Sequence, residues 1–133
     1  KRLSQYLNRT TKKINMACDG IIFSQIDNSN FIFICEMKST RPSETECVAK
    51  FRNSRLFVEY LLSILKEYYS LDSNFEIRYI LFDTKKRSIK TKMKDRKIES
   101  EQMKDEKENF ELQVYRIHKL NPLEFLNIRH LMQ

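Results

Sequence analysis

The sequence has little glycine or proline, with one and two copies respectively, no tryptophan, and three cysteines in 133 residues. The scarcity of glycine and proline excludes collagen-like and low-complexity chains. No apolar run approaches the roughly 20 residues that a membrane-spanning helix requires, and the opening KRLSQY lacks the apolar segment of a signal peptide. Because the chain does not begin with Met, we expect a trimmed chain or a fragment of a longer protein. Its length suits one domain with its own core, so we predict a single domain over residues 1–133.

The three cysteines, Cys18, Cys35 and Cys47, show no CxxC spacing, and the two histidines are isolated from each other. This pattern argues against a zinc site, and we assign no catalytic role to His118 or His130. Since two of the cysteines lie in apolar segments, we expect reduced, buried thiols, which are typical of a cytoplasmic protein. The nucleus and a virus-infected host cell stay open as alternative locations.

Residues 17–40 hold two apolar runs on either side of the polar sequence DNSN, which predicts a β-hairpin. A loop of two or of four residues centred on this turn pairs residues whose numbers sum to 57. Asp19 then faces Lys38, and both share a face with Glu36 because side chains alternate along a strand. Charged side chains are rarely buried without a partner. The grouping therefore indicates either a functional site or a plain salt bridge between Asp19 and Lys38 with Glu36 exposed.

The hairpin is followed by a predicted helix. Ser43 and Glu46 have the spacing of a capping box, and the apolar periodicity continues to about Tyr69. The next apolar run, FEIRYILF at 75–82, is hydrophobic on both faces at its end, as expected of a central parallel strand. Strand, helix and strand together predict a crossover unit.

Residues 85–108 contain ten basic and six acidic residues and so carry +4 of the chain's +7 net charge. With so few apolar residues we expect this segment to be a charged insertion, mobile or an exposed helix, which contributes nothing to the core. An alternating strand follows from Phe110, and Asn121 and Pro122 begin a last short helix. With a short helix before the hairpin, the predicted order is (α)ββαββα, an α/β fold with a mixed β-sheet.

Asp19 in CDGII and the run Glu36, Met37 and Lys38 in ICEMKS, followed by a helix and a strand, resemble the PD-(D/E)xK nuclease superfamily. The resemblance covers roughly residues 14–83 and implies a restriction-endonuclease-like fold with a hairpin–helix–strand core. A cysteine stands where the family's proline is usual. The N-terminal acid of many members and the Gln-x-x-x-Tyr signature of the RecB-like branch are missing, so no subfamily is identified.

The resemblance implies a metal-dependent endonuclease that hydrolyses phosphodiester bonds in nucleic acid, with DNA favoured over RNA. Its catalytic residues would be Asp19, Glu36 and Lys38. The two acids and the backbone carbonyl of Met37 would hold Mg²⁺ or Mn²⁺, which positions and activates water. Lys38 would orient or deprotonate that water and stabilise the transition state.

Basic and polar residues near this site would contact the flanking phosphates in a sequence-independent manner. They are Lys12, Lys13, Arg41, Lys50, Arg52, Asn53 and Arg55. The expected partners are nucleic acid and, by the resemblance, a sensor or partner domain or a second copy of the chain, with no membrane.

Two other classes of function stay open. One is a non-catalytic nucleic-acid-binding or protein-interaction domain of the same fold, which the complete Asp…Glu-x-Lys set argues against. The other is a phosphatase-like metal hydrolase, for which the chain has few histidines.

Overall fold

The computed structural model describes residues 14–39, 43–71, 74–83, 98–105 and 110–118. Within them the chain forms, in order, β1 (Gly20–Ile26), β2 (Ser29–Lys38), α1 (Glu44–Tyr69), β3 (Phe75–Asp83), β4 (Glu99–Asp105) and β5 (Phe110–His118). The strands build one mixed sheet in the order β1-β2-β3-β5-β4. The predicted α/β class with a mixed sheet is confirmed. The helices predicted before the hairpin and after residue 120 lie outside the described residues.

β1 and β2 form the predicted antiparallel hairpin, but with a different turn. The two turn residues are Asp27 and Asn28, which have φ angles of 48° and 67°, and Ile26 pairs with Ser29. Paired numbers therefore sum to 55, and the predicted sum of 57 is wrong. The physical reason is that a tight hairpin turn needs two consecutive residues with positive φ, which Asp and Asn tolerate well. A shift of two residues leaves every side chain on its predicted face.

The middle of the sheet is parallel. β2 pairs with β3, and β3 pairs with β5, in the parallel sense, while β4 pairs antiparallel with β5 at the edge. The prediction that β3 is a central parallel strand is confirmed, and α1 makes the connection between β2 and β3. β2, β3 and β5 therefore have their carboxyl ends at the same end of the sheet. Ligands commonly bind at this end in α/β folds.

The core lies on both faces of the sheet. On one face Ile32 and Ile34 of β2 pack with Val48 and Phe51 of α1 in a buried cluster. On the other face the alternate residues of the same strands form a second buried cluster, which includes Phe33. β2 is thus apolar on both faces until its last residues, and the polar side chains that follow continue the face covered by α1.

α1 begins after Ser43, as predicted, but the capping box is absent. The backbone of Ser43 accepts the first helical hydrogen bond from Cys47, whereas the Ser43 side chain makes no capping bond. The carboxylate of Glu46 instead accepts a hydrogen bond from the ammonium of Lys38. The carboxylate of Glu46 therefore pairs with an ammonium group of β2 and does not cap the start of α1.

The segment predicted as a charged insertion contributes a strand, β4. Met103 of β4 is buried in the cluster beneath α1, and the backbone N–H of Lys104 donates to the carboxylate of Glu44 at 2.9 Å. The expectation that this segment adds nothing to the core is therefore wrong for residues 98–105. An edge strand needs few apolar side chains, and its charges discourage pairing with other chains. Residues 84–97 and 106–109 lie outside the described part.

Candidate active site

Asp19 directly precedes β1, and its carboxylate contacts the end of β2. Its Oδ2 accepts a hydrogen bond from the backbone N–H of Met37 at 2.9 Å. The register that pairs Gly20 with Cys35 places Asp19 opposite Glu36 when it is continued by one residue. The predicted pairing of Asp19 with Lys38 is wrong. The contact between Lys38 and Glu36 shows that these two share a face, and the shift of two leaves the predicted face of Asp19 unchanged. The true register brings Asp19 nearer to Glu36 than the diagonal arrangement that was expected.

The backbone of Met37 belongs to the same corner of the site. Within a β-strand the N–H and C=O of one residue point toward the same neighbouring strand. The N–H of Met37 points toward Asp19, so its carbonyl faces that side as well. The Met37 side chain is exposed, and the role predicted for this residue needs only the carbonyl.

Glu36 is the buried charge of the site. Its side chain is 1% exposed, on the face that Ile32 and Ile34 share with α1. Its Oε1 lies 2.5 Å from the ammonium nitrogen of Lys50 and 3.2 Å from that of Lys38. Its Oε2 is buried and has no hydrogen-bond partner among the described residues. The alternative in which Glu36 is exposed is therefore wrong, and one of its carboxylate oxygens is buried without a donor among the described residues.

Lys38 is held between two carboxylates. Its ammonium nitrogen lies 3.0 Å from Oε1 of Glu46 as well as 3.2 Å from Glu36. Partial burial by itself lowers the pKa of Lys38, but the hydrogen bonds to Glu46 and Glu36 outweigh burial and raise the pKa above its usual value. The hydrogen bond from Lys38 lowers the pKa of Glu46. Both groups are therefore charged at neutral pH.

The sequence prediction missed Glu46 and Asp83. Glu46 lies one helical turn before Lys50, and its carboxylate is 3.8 Å from the Lys50 ammonium, so the i,i+4 spacing was the available signal. Asp83 ends β3 and pairs with Lys38 across the parallel ladder, which places it on the same face. Its signal was an acidic residue at the carboxyl end of a predicted parallel strand.

The residues predicted to bind nucleic acid divide into several groups. Lys50 belongs to the site itself through its contact with Glu36. Arg55 pairs with Glu59 at 2.7 Å, a hydrogen bond that raises the pKa of Arg55. Arg52 is half-buried. Lys12, Lys13 and Arg41 lie outside the described residues.

Asn53, which was predicted to contact nucleic acid, faces the interior of the protein. Its side chain is buried, and its Nδ2 donates a hydrogen bond to the backbone oxygen of Met16 at 3.1 Å. An amide that is turned into the protein and bonded there is not displayed to a nucleic acid. The polar character of Asn53 was read correctly, but only the packing of α1 decides which way this side chain faces.

The donors of the site fit one class of metal. In the described part of the chain, no group of three or more His, Cys, Asp or Glu side chains is arranged to hold a metal ion. The oxygen donors are the carboxylates of Asp19 and Glu36 and the carbonyl of Met37. Mg²⁺ is commonly bound by one or two carboxylates and completes its octahedron with water and substrate phosphate. The unpartnered, buried Oε2 of Glu36 suits such an ion, and the set lacks the nitrogen and sulfur ligands of zinc.

Within the described ranges, no helix combines the length and apolarity needed to cross a bilayer. No protein-family model, curated protein or solved structure matches the chain. The functional assignment therefore depends on the geometry of Asp19, Glu36 and Lys38.

Proposed function

We propose that this chain is a metal-dependent nuclease that hydrolyses phosphodiester bonds, with DNA favoured over RNA. The carboxylate of Glu36 carries the proposal. It is buried, one of its oxygens is bound by two ammonium groups, and the other has no protein partner among the described residues. Burying a carboxylate is costly unless it is paired or binds a metal. A carboxylate with one bonded oxygen, and with a second oxygen that has no partner among the described residues, can supply that second oxygen as a ligand to a cation.

Each residue of the site has a distinct role in this proposal. Asp19, Glu36 and the carbonyl of Met37 would hold Mg²⁺ or Mn²⁺, which supplies charge neutralisation at the phosphate and lowers the pKa of bound water. Lys38 would contact the scissile phosphate, orient the attacking water and stabilise the charge of the transition state. Because its pKa is raised and its ammonium stays protonated at neutral pH, Lys38 is not the base that deprotonates the water. Lys50 keeps Glu36 oriented by its contact with Oε1.

The topology supports the resemblance to the PD-(D/E)xK superfamily. A hairpin brings Asp19 and Glu36 together, and a helix then returns the chain to a strand parallel to β2. The candidate residues meet at the carboxyl end of β2, in the edge where the parallel strands end. We therefore propose a restriction-endonuclease-like core for residues 14–83.

The second candidate is a non-catalytic nucleic-acid-binding or interaction domain with the same fold. One observation favours it. Glu36, Lys38, Glu46 and Lys50 form a cluster of alternating charges in which each ammonium lies within 4 Å of both glutamates. Such a cluster could serve structure alone, because each buried charge has an opposite neighbour.

Cleavage of labelled single- and double-stranded DNA and RNA separates the two candidates. The reactions contain Mg²⁺, Mn²⁺ or EDTA and compare the wild type with Asp19→Asn, Glu36→Gln and Lys38→Met. Glu111→Gln is the matched control, because Glu111 makes an exposed ion pair with Lys104 at the far edge of the sheet. We expect metal-dependent cutting that falls about 100-fold or more in the three site variants and is unchanged in the control.

The outcomes differ for the two candidates. Cutting by the wild type and the control, lost in the site variants, supports the nuclease and identifies its substrate. A folded wild type that does not cut, with Mn²⁺ binding unaffected by Asp19→Asn, contradicts it. Binding of nucleic acid without cutting supports the non-catalytic domain.

A further inference from the structure

We propose that Asn53 and Ser54 of α1 are positioning residues that hold the chain leading into β1 and thereby place Asp19 beside Glu36. The inference deepens the proposed function, and its metal-binding readout rests on it. It assigns a purpose to two buried polar side chains that the site chemistry leaves without a role.

Both side chains bond across a long stretch of sequence. Ser54 is 1% exposed, and its Oγ accepts a hydrogen bond from the backbone N–H of Cys18 at 3.0 Å. Asn53 is 7% exposed, and its Nδ2 donates to the backbone oxygen of Met16 at 3.1 Å. In the described part of the chain, the buried polar or charged residues are these two and Glu36.

The segment held by these bonds precedes the strand. β1 begins at Gly20, so Met16 to Asp19 lie before the continuous β1–β2 ladder. Buried backbone groups outside a ladder need other partners, and α1 supplies them from its side chains. Asp19 follows Cys18 directly, so fixing the Cys18 backbone fixes the point from which the Asp19 carboxylate reaches Met37.

One stretch of α1 therefore positions both acids. Lys50 binds Glu36, and Asn53 and Ser54, one turn further along, bind the segment that carries Asp19. Because a helix is rigid over one turn, the separation of the two carboxylates is set by a single element. Catalytic and metal-binding groups need such support to hold their geometry.

The first test needs no metal. Asp19 protects the Met37 amide by accepting its hydrogen bond, so exchange of that amide with solvent, measured by NMR, reports the position of Asp19. We expect Ser54→Ala and Asn53→Ala each to raise the Met37 exchange rate about tenfold or more relative to core amides of α1, as Asp19→Ala does. Ser63→Ala is the control, because its Oγ bonds only locally, to the oxygen of Glu59 at 2.8 Å on the same helix.

The second test is a double-mutant cycle on Mn²⁺ affinity. Loss of a group that orients a metal ligand typically weakens metal binding by about 10- to 100-fold. We expect a loss of that order for Ser54→Ala and for Asn53→Ala. We expect no further loss when either is combined with Asp19→Asn, because both changes act through the same ligand.

The outcomes separate this inference from the proposed function. Unchanged Met37 exchange in both folded variants, or Mn²⁺ losses that add to that of Asp19→Asn, overturns the positioning role. A wild type that does not bind Mn²⁺, with Met37 exchange raised in both variants, overturns the metal-dependent nuclease and leaves the positioning of Asp19 supported.

Discussion

The carboxylate of Glu36 is buried and lies close to two ammonium groups. It is 1% exposed and lies against the ammonium of Lys50, whose side chain is 13% exposed. Removing Lys50 leaves the buried carboxylate with Lys38 alone, 3.2 Å away, so the loss should be smaller than for an isolated buried pair and larger than for an exposed one. Substitutions at Lys50 and Glu36 therefore test whether the carboxylate of Glu36 is buried and paired in solution.

We predict that Lys50→Met lowers the free energy of unfolding by about 1–3 kcal/mol, because one of the two ammonium groups that bind the buried carboxylate of Glu36 is lost while Lys38 remains. Glu36→Gln in the same chain should recover part of this loss, because the buried charge that has lost one partner is then removed. Urea denaturation of the two single variants and the double variant measures both effects. Glu59→Gln is the control: its ion pair with Arg55 is 43% exposed on both sides, and such pairs contribute about 1 kcal/mol or less. Additive losses at Glu36 and Lys50 would contradict the prediction.

The cysteines offer a second prediction. Burial raises the pKa of Cys18 to about 12, and it raises the pKa of Cys35 and of Cys47 to about 11. Only the thiolate reacts with alkylating reagents, so all three should resist iodoacetamide in the folded protein at about pH 8 and react after denaturation. Mass spectrometry counts the adducts. Rapid labelling of Cys47 in the native protein would show that the thiols are not buried as described.

The raised pKa values of the three thiols also make the stability of the protein depend on pH. A thiol that is protonated in the folded chain and has a raised pKa stabilises the fold fully below its unfolded pKa, about 9. That contribution is lost as the pH rises from about 9 through 11. Stability should therefore decline in alkaline solution, and a Cys47→Ala variant should decline less over this window.

The hairpin depends on a turn with unusual backbone angles. Asp27 and Asn28 both have positive φ, which most side chains adopt at a cost of about 1–2 kcal/mol. We predict that Asn28→Val destabilises the protein by about that amount, whereas Asn28→Gly is neutral or stabilising. Asn30→Val is the matched control, because Asn30 pairs with Gln25 in extended conformation, where a β-branched residue is well accommodated. Thermal denaturation of the three variants tests the register. Equal losses of stability in Asn28→Val and Asn30→Val would favour the four-residue turn over residues 27–30.

The whole molecule carries a net charge of +7, and a salt titration tests whether this charge serves the proposed binding of nucleic acid. If about four phosphates are neutralised on binding, the affinity for duplex DNA should fall about 100-fold between 50 and 200 mM salt. Arg55→Ala should reduce that dependence less than Lys104→Ala if the +4 segment at 85–108 provides the contacts. Fluorescence anisotropy in EDTA measures binding without cutting. Affinity that does not change with salt would exclude the basic residues from binding.

Much of the architecture could be predicted because it depends on local pattern. Apolar periodicity over about 26 residues identified α1, and an apolar run on both faces identified β3 as central. The shared face of Glu36 and Lys38 was also correct. The shift of two in the register leaves the predicted face of Asp19 unchanged, because a period of two is unaffected by an even shift. β4 was missed since a charged edge strand has little apolar pattern to detect.

The sequence by itself determined the hairpin, α1, β3 and β5 and the face of β2 on which Glu36 and Lys38 lie, because these follow from short-range periodicity. Only the tertiary structure decided the partners. It brought Lys50 to Glu36, directed Glu46 to Lys38 instead of the helix cap, and turned Asn53 inward to Met16. Each of these contacts joins residues 8 to 37 positions apart. Such contacts depend on how a helix is set against a sheet, and no periodicity within either element encodes that placement.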